Sequence, residues 1–154
     1  MADAVLFGVL FFAAFAAMEG VAYLTHKYVM HGCLWVLHES HHRPRTGRFE
    51  KNDLFAFFFA LPSILLIYLG VNYYGPLAAV GLGMTAYGLM YFLFHDVIVH
   101  QRIRFRAIPR FGYLRRIMQA HRMHHARSEK EGGVSFGFLY APPVRRLKAE
   151  GAAG

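Results

Sequence analysis

The sequence predicts an all-α protein: a multi-pass membrane helical bundle of three to four spanning helices with a cytoplasmic, histidine-rich helical cap. Three observations predict it. The 154 residues are 56% hydrophobic and only 17% charged, which is too apolar for a soluble domain. Lys and Arg are absent before Lys27 and between Lys51 and Arg102, so apolar stretches alternate with basic ones. All ten histidines lie at or beyond the ends of the apolar stretches, and the length predicts one domain, residues 1–154.

Three apolar stretches are long enough to cross the hydrocarbon core of a bilayer, which takes about 20 helical residues. They run from about 4 to 24, from 54 to about 71, and from 77 to about 99. Only the residues Asn-Tyr-Tyr-Gly-Pro at 72–76 separate the second stretch from the third, which predicts a tight turn. Pro62, inside the second stretch, is a candidate for a kink.

The basic residues predict the orientation of these spans, because cytoplasmic connections of membrane proteins are enriched in Lys and Arg. Five of the 17 basic residues lie at 27–51 and twelve at 102–148. We therefore expect the 25–53 connection and the chain after about residue 100 in the cytoplasm, with the 72–76 turn on the other side. A nucleic-acid partner is not expected, since the apolar stretches fit that explanation of the basic charge badly.

The N-terminus lacks the basic segment and cleavage site of a signal peptide, so the first stretch is interpreted as a retained span. A further, amphipathic helix is predicted after Pro109. Its apolar stripe is formed by residues at helical spacing, namely Leu114, Ile117, Met118, His121 and His125. We expect this helix to lie on the membrane surface or to cap the bundle.

The histidines fall into four tracts, in which an H-x4-H is followed by an H-x2-H-H and the same order then repeats. The tracts are His26 and His31; His38, His41 and His42; His95 and His100; and His121, His124 and His125. This order indicates a degenerate duplication. Positions i, i+3 and i+4 of an α-helix share a face, so each H-x2-H-H presents up to three imidazoles together. Positions i and i+5 lie about 140° apart around an α-helix, so each H-x4-H is interpreted as serving two neighbouring metals.

Ten imidazoles supply about five ligands to each of two metal ions and leave one position of a six-coordinate ion open for catalysis. Imidazole binds iron, zinc, copper and nickel, so spacing alone leaves the metal open. Glu39 and Asp96 are either partners that orient an imidazole or charges at helix ends. Glu19, inside the first stretch, is assigned no role. Cys33 is the only cysteine, which excludes an intrachain disulfide.

The histidine tracts and the segments around them resemble sequences of the membrane fatty acid hydroxylase and sterol desaturase superfamily. Within it, the resemblance is to the bacterial β-carotene hydroxylases. The resemblance covers about residues 18 to 144. The matching segments are HESHHRPR at 38–45, FEKNDL at 49–54, HDxxxHQR at 95–102, AHRxHHA at 120–126 and VSFGFLYAPP at 134–143.

The resemblance implies a non-haem di-iron monooxygenase of carotenoid biosynthesis. Such an enzyme uses O2 to hydroxylate the β-ionone rings of β-carotene at C3, giving β-cryptoxanthin and then zeaxanthin. It implies that all ten histidines bind the two iron ions, that no further catalytic residues are needed, and that a ferredoxin supplies electrons. It also implies a place among the lipids of the bacterial cytoplasmic (inner) membrane, with the histidines on the cytoplasmic side.

Two alternatives stay open at this point. The chain could be a di-iron hydroxylase or desaturase of another lipid, fatty acyl or sterol. It could also be a haem or metal-binding membrane carrier, although haem needs fewer ligands and a transporter places them at mid-membrane. Aromatic residues of the second and third stretches either contact lipid and pack between helices or line a lateral opening for substrate. They are Phe55, Phe57, Phe58, Phe59, Tyr87, Tyr91, Phe92 and Phe94.

Overall fold

The computed structural model describes residues 1–103 and 109–152, and all regular secondary structure in those ranges is helical. The α-helices are α1 (Ala2–Leu24), α2 (Trp35–His38), α3 (Leu54–Asn72), α4 (Gly75–Tyr91), α5 (Gly112–His125) and α6 (Val144–Ala152). Two π-helical segments, π1 (Thr25–Cys33) and π2 (Phe92–Val99), continue α1 and α4 without a connecting loop. Short 3₁₀ turns lie at Glu39–His41 and Lys51–Asp53.

Three helices in the described ranges are long and apolar enough to cross a membrane, and they confirm the predicted spans. They are Ala2–Cys33, Lys51–Asn72 and Gly75–Val99. Only 6% of the apolar part of the first span is buried within the protein. Its exposed apolar surface is what a helix surrounded by lipid presents.

Helix α4 is the central helix of the bundle, since it packs against both α1 and α3. Small residues make these contacts close. A Cβ on Gly81 would lie 2.7 Å from the carbonyl oxygen of Ser63, and a Cβ on Gly83 would collide with the carbonyl oxygen of Phe11. Glycines at such crossings let helix backbones approach closely, and this close packing favours helix association in lipid.

The turn between the second and third spans is as tight as predicted, because only Tyr73 and Tyr74 separate α3 from α4. Pro76 lies in the first turn of α4, where its missing N–H costs no hydrogen bond. Helix α3 continues through Pro62 as a single helix.

The predicted amphipathic helix exists as α5, but it begins at Gly112 and not at Pro109. Ile117 and Met118 are buried as expected, whereas Leu114, the first residue of the predicted stripe, is 39% exposed. Helices α5 and α6 and the connection between them pack over one end of the bundle. Their shared core is a cluster of six buried residues, Ile117, Ala120, Val134, Phe138, Ala141 and Leu147.

Candidate metal centre

The ten histidines meet at one end of the bundle in two sets of five. The first set is His26, His31, His38, His42 and His124, and the second is His41, His95, His100, His121 and His125. Within each set, one ring nitrogen of every histidine lies within 4.8 Å of those of the others. All ten residues predicted as metal ligands are therefore brought together, in the predicted number of five per set.

The two H-x2-H-H tracts exchange a histidine between the sets. In the first tract, His38 and His42 at i and i+4 join the first set, whereas His41 at i+3 joins the second. In the other tract the assignment is reversed, because His124 at i+3 joins the first set. Each set thus contains four histidines from one half of the duplicated sequence and one histidine from the other half.

The interpretation of the H-x4-H tracts as bridges between two metals is wrong. His26 and His31 both belong to the first set, and His95 and His100 both belong to the second. The reason is the backbone, since these pairs lie in or at the end of π1 and π2 and not in an α-helix. The His100 amide bonds to the His95 carbonyl at 2.8 Å, a five-residue step that brings i and i+5 to the same side.

Within the described residues, seven of the ten imidazoles are fixed by a hydrogen bond from Nδ1 to an oxygen outside the two sets. In four of them Nδ1 donates to a backbone carbonyl, at distances of 2.8–2.9 Å: His26 to Phe136, His31 to Lys130, His42 to Arg127 and His124 to Val134. In the other three it donates to a side-chain oxygen: His38 to Asn52 at 2.7 Å, His41 to Glu50 at 2.8 Å and His95 to Asp96 at 3.3 Å. Because these oxygens accept, the proton of each neutral ring lies on Nδ1 and the lone pair of Nε2 faces inward.

The inward nitrogens are spaced as ligands of a cation. Nε2 of His31 lies 3.1 Å from Nε2 of His124, and His26 and His38 are 3.0 Å apart in the same way. Since both Nδ1 atoms of each pair donate outward, no proton is left between the facing lone pairs. Two nitrogens bound at a right angle to one ion, each at about 2.1 Å, would lie about 3.0 Å apart. The Nε2 atom of His125 is also buried without a hydrogen-bond partner in the described chain.

The charge state of the rings suits metal binding. Burial lowers the pKa of His38 to about 3 and that of His100 to about 3, and it lowers the pKa of His42 to about 4. These imidazoles are consequently neutral at pH 7, which is the form that binds a metal ion. The donor set, its spacing and its protonation state therefore fit two divalent ions.

An arginine joins the carboxylates that orient the second set. Arg102 contacts Asp53 at 2.7 Å, and Glu50 and Asp96 at 2.9 Å each. Glu50 and Asp96 in turn accept the Nδ1 protons of His41 and His95. Of the two acidic residues considered from the sequence, Asp96 has the orienting contact. Glu39 is instead half-buried, with a side chain 41% exposed, and paired with Arg43 at 2.7 Å.

Sequence reasoning assigned no role to Glu50, Asn52, Arg102 or Glu19. The first three lie in the segments FEKNDL at 49–54 and HDxxxHQR at 95–102, which match the family. Their place in these matching segments could have identified them as candidate site residues. Glu19 gave a different signal, a lone carboxylate inside a span. It accepts hydrogen bonds from three consecutive backbone amides at 138–140.

A cavity of about 430 Å³ lies between the three spans and reaches the metal centre at its inner end. His26, His95 and His121 line that end, and Ser63 and Thr85 lie at the opposite one. The ten residues from Thr85 to His95 correspond to roughly 15 Å along a helix. Of the aromatic residues considered from the sequence, Phe55, Phe59, Tyr87, Tyr91 and Phe92 line the cavity. Phe57 and Phe58 are exposed, and Phe94 packs against the cap core.

Comparison with known proteins identifies the family to which the chain belongs. A family model described as fatty acid hydroxylase matches residues 11–141. A β-carotene hydroxylase of Pantoea ananas is 61% identical over 138 residues, which are 90% of this chain and 79% of that protein. The chain belongs to the β-carotene hydroxylase branch of the fatty acid hydroxylase family.

Other members of this branch show the same relationship. A β-carotene hydroxylase of Paracoccus sp. strain PC1 is 49% identical over 90% of this chain and 86% of that protein. A chloroplastic β-carotene 3-hydroxylase of Gentiana lutea is 40% identical over 84% of this chain, which covers 41% of that longer protein. No solved structure matches the chain. The family resemblance predicted from the sequence is confirmed.

Proposed function

We propose that this chain is a non-haem di-iron monooxygenase that hydroxylates the β-ionone rings of β-carotene at C3, forming β-cryptoxanthin and then zeaxanthin. The observation that carries the proposal is the meeting of two five-histidine sets with the inner end of an apolar cavity between membrane spans. The names of the relatives, β-carotene hydroxylase at 61% and 49% identity, support the substrate.

The ten histidines would hold two iron ions, five to each ion, and leave a position open on each. When bound, iron would supply the activation of O2, which no protein side chain provides. In the overall reaction one oxygen atom of O2 enters a ring C–H bond. The other leaves as water, which consumes two electrons and two protons. The chain's own contribution is to orient the ten Nε2 atoms and to keep water from the ring.

The cavity accounts for the choice of substrate by shape and polarity. A carotene is an apolar rod about as long as the hydrocarbon core, roughly 30 Å. The cavity would take one end of it, with the terminal ring beside His95 and His121 of the second set and His26 of the first. Tyr91, whose ring stacks on His95 at 4.5 Å, would form the apolar wall beside the ring. Oxidation at the centre of the polyene is not expected, because the histidines lie at one end only.

We further propose that the histidine end faces the cytoplasm in a bacterial inner membrane, with a ferredoxin as electron donor. The basic residues at 27–51 and 102–148 support this orientation by the positive-inside rule. The same residues make that face electropositive, which suits the docking of an acidic redox protein.

Expression in a bacterium that makes β-carotene tests the function. We expect pigment chromatography to show β-cryptoxanthin first and zeaxanthin later, because only one ring can occupy the cavity at a time. Growth under ¹⁸O2 should label each new hydroxyl. A His121→Ala variant, expressed to the same level, is the matched control and should leave β-carotene unchanged. Unchanged carotene with the unmodified chain, accompanied by hydroxylated fatty acids, would refute the substrate and leave a di-iron oxygenase of another lipid.

A further inference from the structure

Glu19 lies within the first span, where an ionised carboxylate is costly unless its oxygens are fully satisfied. Four donors satisfy it. Oε1 accepts from the amides of Phe138 at 2.8 Å and Tyr140 at 2.9 Å. Oε2 accepts from the amide of Leu139 at 2.9 Å and from the hydroxyl of Tyr87 at 2.7 Å. Three of the four partners are backbone amides, which can only donate, so both carboxyl oxygens serve as acceptors for the 138–140 segment.

The segment held by Glu19 also orients two histidines. A few residues before the three anchored amides, the carbonyl of Val134 accepts from Nδ1 of His124 and that of Phe136 accepts from Nδ1 of His26. Both histidines belong to the first set. The hydrogen bonds described for this segment reach no ring of the second set. The ring of Phe138 does contact His95 of the second set edge-on, with centroids 5.9 Å apart, but it makes no hydrogen bond there. The position of residues 134–140 is therefore coupled by hydrogen bonds to the first site and only by this ring contact to the second.

We propose that Glu19 is a positioning residue of the first histidine set. By fixing the amides at 138–140, its carboxylate sets the carbonyls of Val134 and Phe136 and, through them, the rings of His124 and His26. This inference rests on the proposed metal centre. It explains why an acidic residue lies inside a membrane span although it is not one of the proposed metal ligands.

Gly137 offers an independent way to disturb the same contact. A Cβ at this position would lie 2.9 Å from Oε1 of Glu19, closer than side chains normally approach. The substitution Gly137→Ala should therefore push the carboxylate away from the amides without removing it. Glu39→Gln is the matched control, since it makes the same charge change at a half-buried carboxylate whose ion pair in the described chain is with Arg43.

The experiment measures ferrous iron bound per chain in two backgrounds. His95→Ala disrupts the second set and leaves the first to bind one ion, and His31→Ala leaves only the second set. In the His95→Ala background, Glu19→Gln and Gly137→Ala should weaken iron binding about 10- to 100-fold, as loss of a ligand-orienting contact typically does. In the His31→Ala background both changes should weaken iron binding much less, because the segment contacts the second set only through the Phe138 ring in the described chain. Glu39→Gln should have no effect in either.

Hydrogen exchange of the metal-free chain gives a readout that does not depend on the ions. In Glu19→Gln one carboxylate oxygen becomes an NH2 group, which cannot accept a hydrogen bond. The amides bonded to that atom, either those of Phe138 and Tyr140 or that of Leu139, should therefore exchange at least about tenfold faster. Equal weakening of both sets would overturn the inference, since it would indicate general loss of structure. Faster exchange with unchanged iron binding would also overturn it. An unmodified chain that binds no iron would instead refute the proposed metal centre.

Discussion

At the scale of single residues, the two nitrogens of an imidazole have separate tasks. Nδ1 fixes the ring by donating outward to a carbonyl or carboxylate, and Nε2 is left facing the site. The ten histidines could be identified from the sequence because their tracts are regular. Their division into sets could not, because it depends on contacts between distant parts of the chain. Four rings of the first set, for example, are oriented by carbonyls between α5 and α6, which lie up to 110 residues away in the chain.

Because His41 belongs to the second set and His124 to the first, double substitutions should differ in the amount of iron that the chain still binds. Single replacement by alanine should lower bound iron from about two ions per chain to about one and abolish turnover. His41→Ala combined with His125→Ala alters one set twice, so iron should stay at about one. His41→Ala combined with His124→Ala alters both sets, so iron should fall towards zero.

Metal analysis of the purified variants, beside an assay for membrane insertion, checks this. If the His41→Ala, His125→Ala double variant lost both ions while His41→Ala, His124→Ala kept one, the division into sets would be wrong. Near-normal turnover of the single variants would contradict the assignment of these histidines as ligands.

At the scale of elements, the three spans could be predicted because hydropathy and length are local properties of the sequence. The two π-helical segments could not. An H-x4-H pair placed on an α-helix diverges by about 140°, and this geometry led to the wrong assignment of each pair to two metals. In π1 and π2 the backbone steps five residues, so His26 joins His31 and His95 joins His100. Such π-helical turns are rare and often occur at functional sites.

Helix α4 allows one substitution to be compared at two glycines. A Cβ on Gly83 would meet the backbone of Phe11 and the side chain of Ala14, whereas a Cβ on Gly88 meets nothing within 4 Å in the described chain. Gly83→Ala should therefore force α1 and α4 apart and lower the free energy of unfolding by about 1–3 kcal/mol. Gly88→Ala should cause no loss. Thermal unfolding in one detergent measures both, and equal stability of the two variants would contradict the close crossing of α1 and α4.

At the scale of the whole molecule, the histidine end must face one side of the membrane. A cysteine at position 72, between the second and third spans, should react with an impermeant thiol reagent from outside the cell in a Cys33→Ser background. A cysteine at Gly47, between the first and second spans, should react only after lysis. The reason is the distribution of basic residues, which by the positive-inside rule favours a cytoplasmic 25–53 connection. Labelling of position 47 in intact cells would reverse the proposed orientation.

The length of the cavity between the spans indicates how much of the polyene chain would lie inside the protein. Gly88 lines it, seven residues and roughly 10 Å before His95 along the helix. A Cβ at this position meets nothing within 4 Å in the described chain, so the side chain of a leucine would extend into the path of the polyene. Gly88→Leu should therefore reduce turnover of β-carotene at least about tenfold, while about two irons per chain remain bound. Gly8→Leu, at an equally open glycine on α1 that does not line the cavity, is the control.

A shorter probe separates blockage of the chain from damage to the site. β-Ionone carries the ring with only a short tail, so it would not reach residue 88 when its ring lies beside His95. The ratio of β-ionone to β-carotene hydroxylation should consequently rise in Gly88→Leu and stay unchanged in Gly8→Leu, as measured by product chromatography with each substrate alone. A parallel fall for both substrates would mean that the leucine disturbs the histidines. Unchanged β-carotene turnover would mean that the polyene does not pass Gly88, and the substrate would then have to reach the histidines by another route.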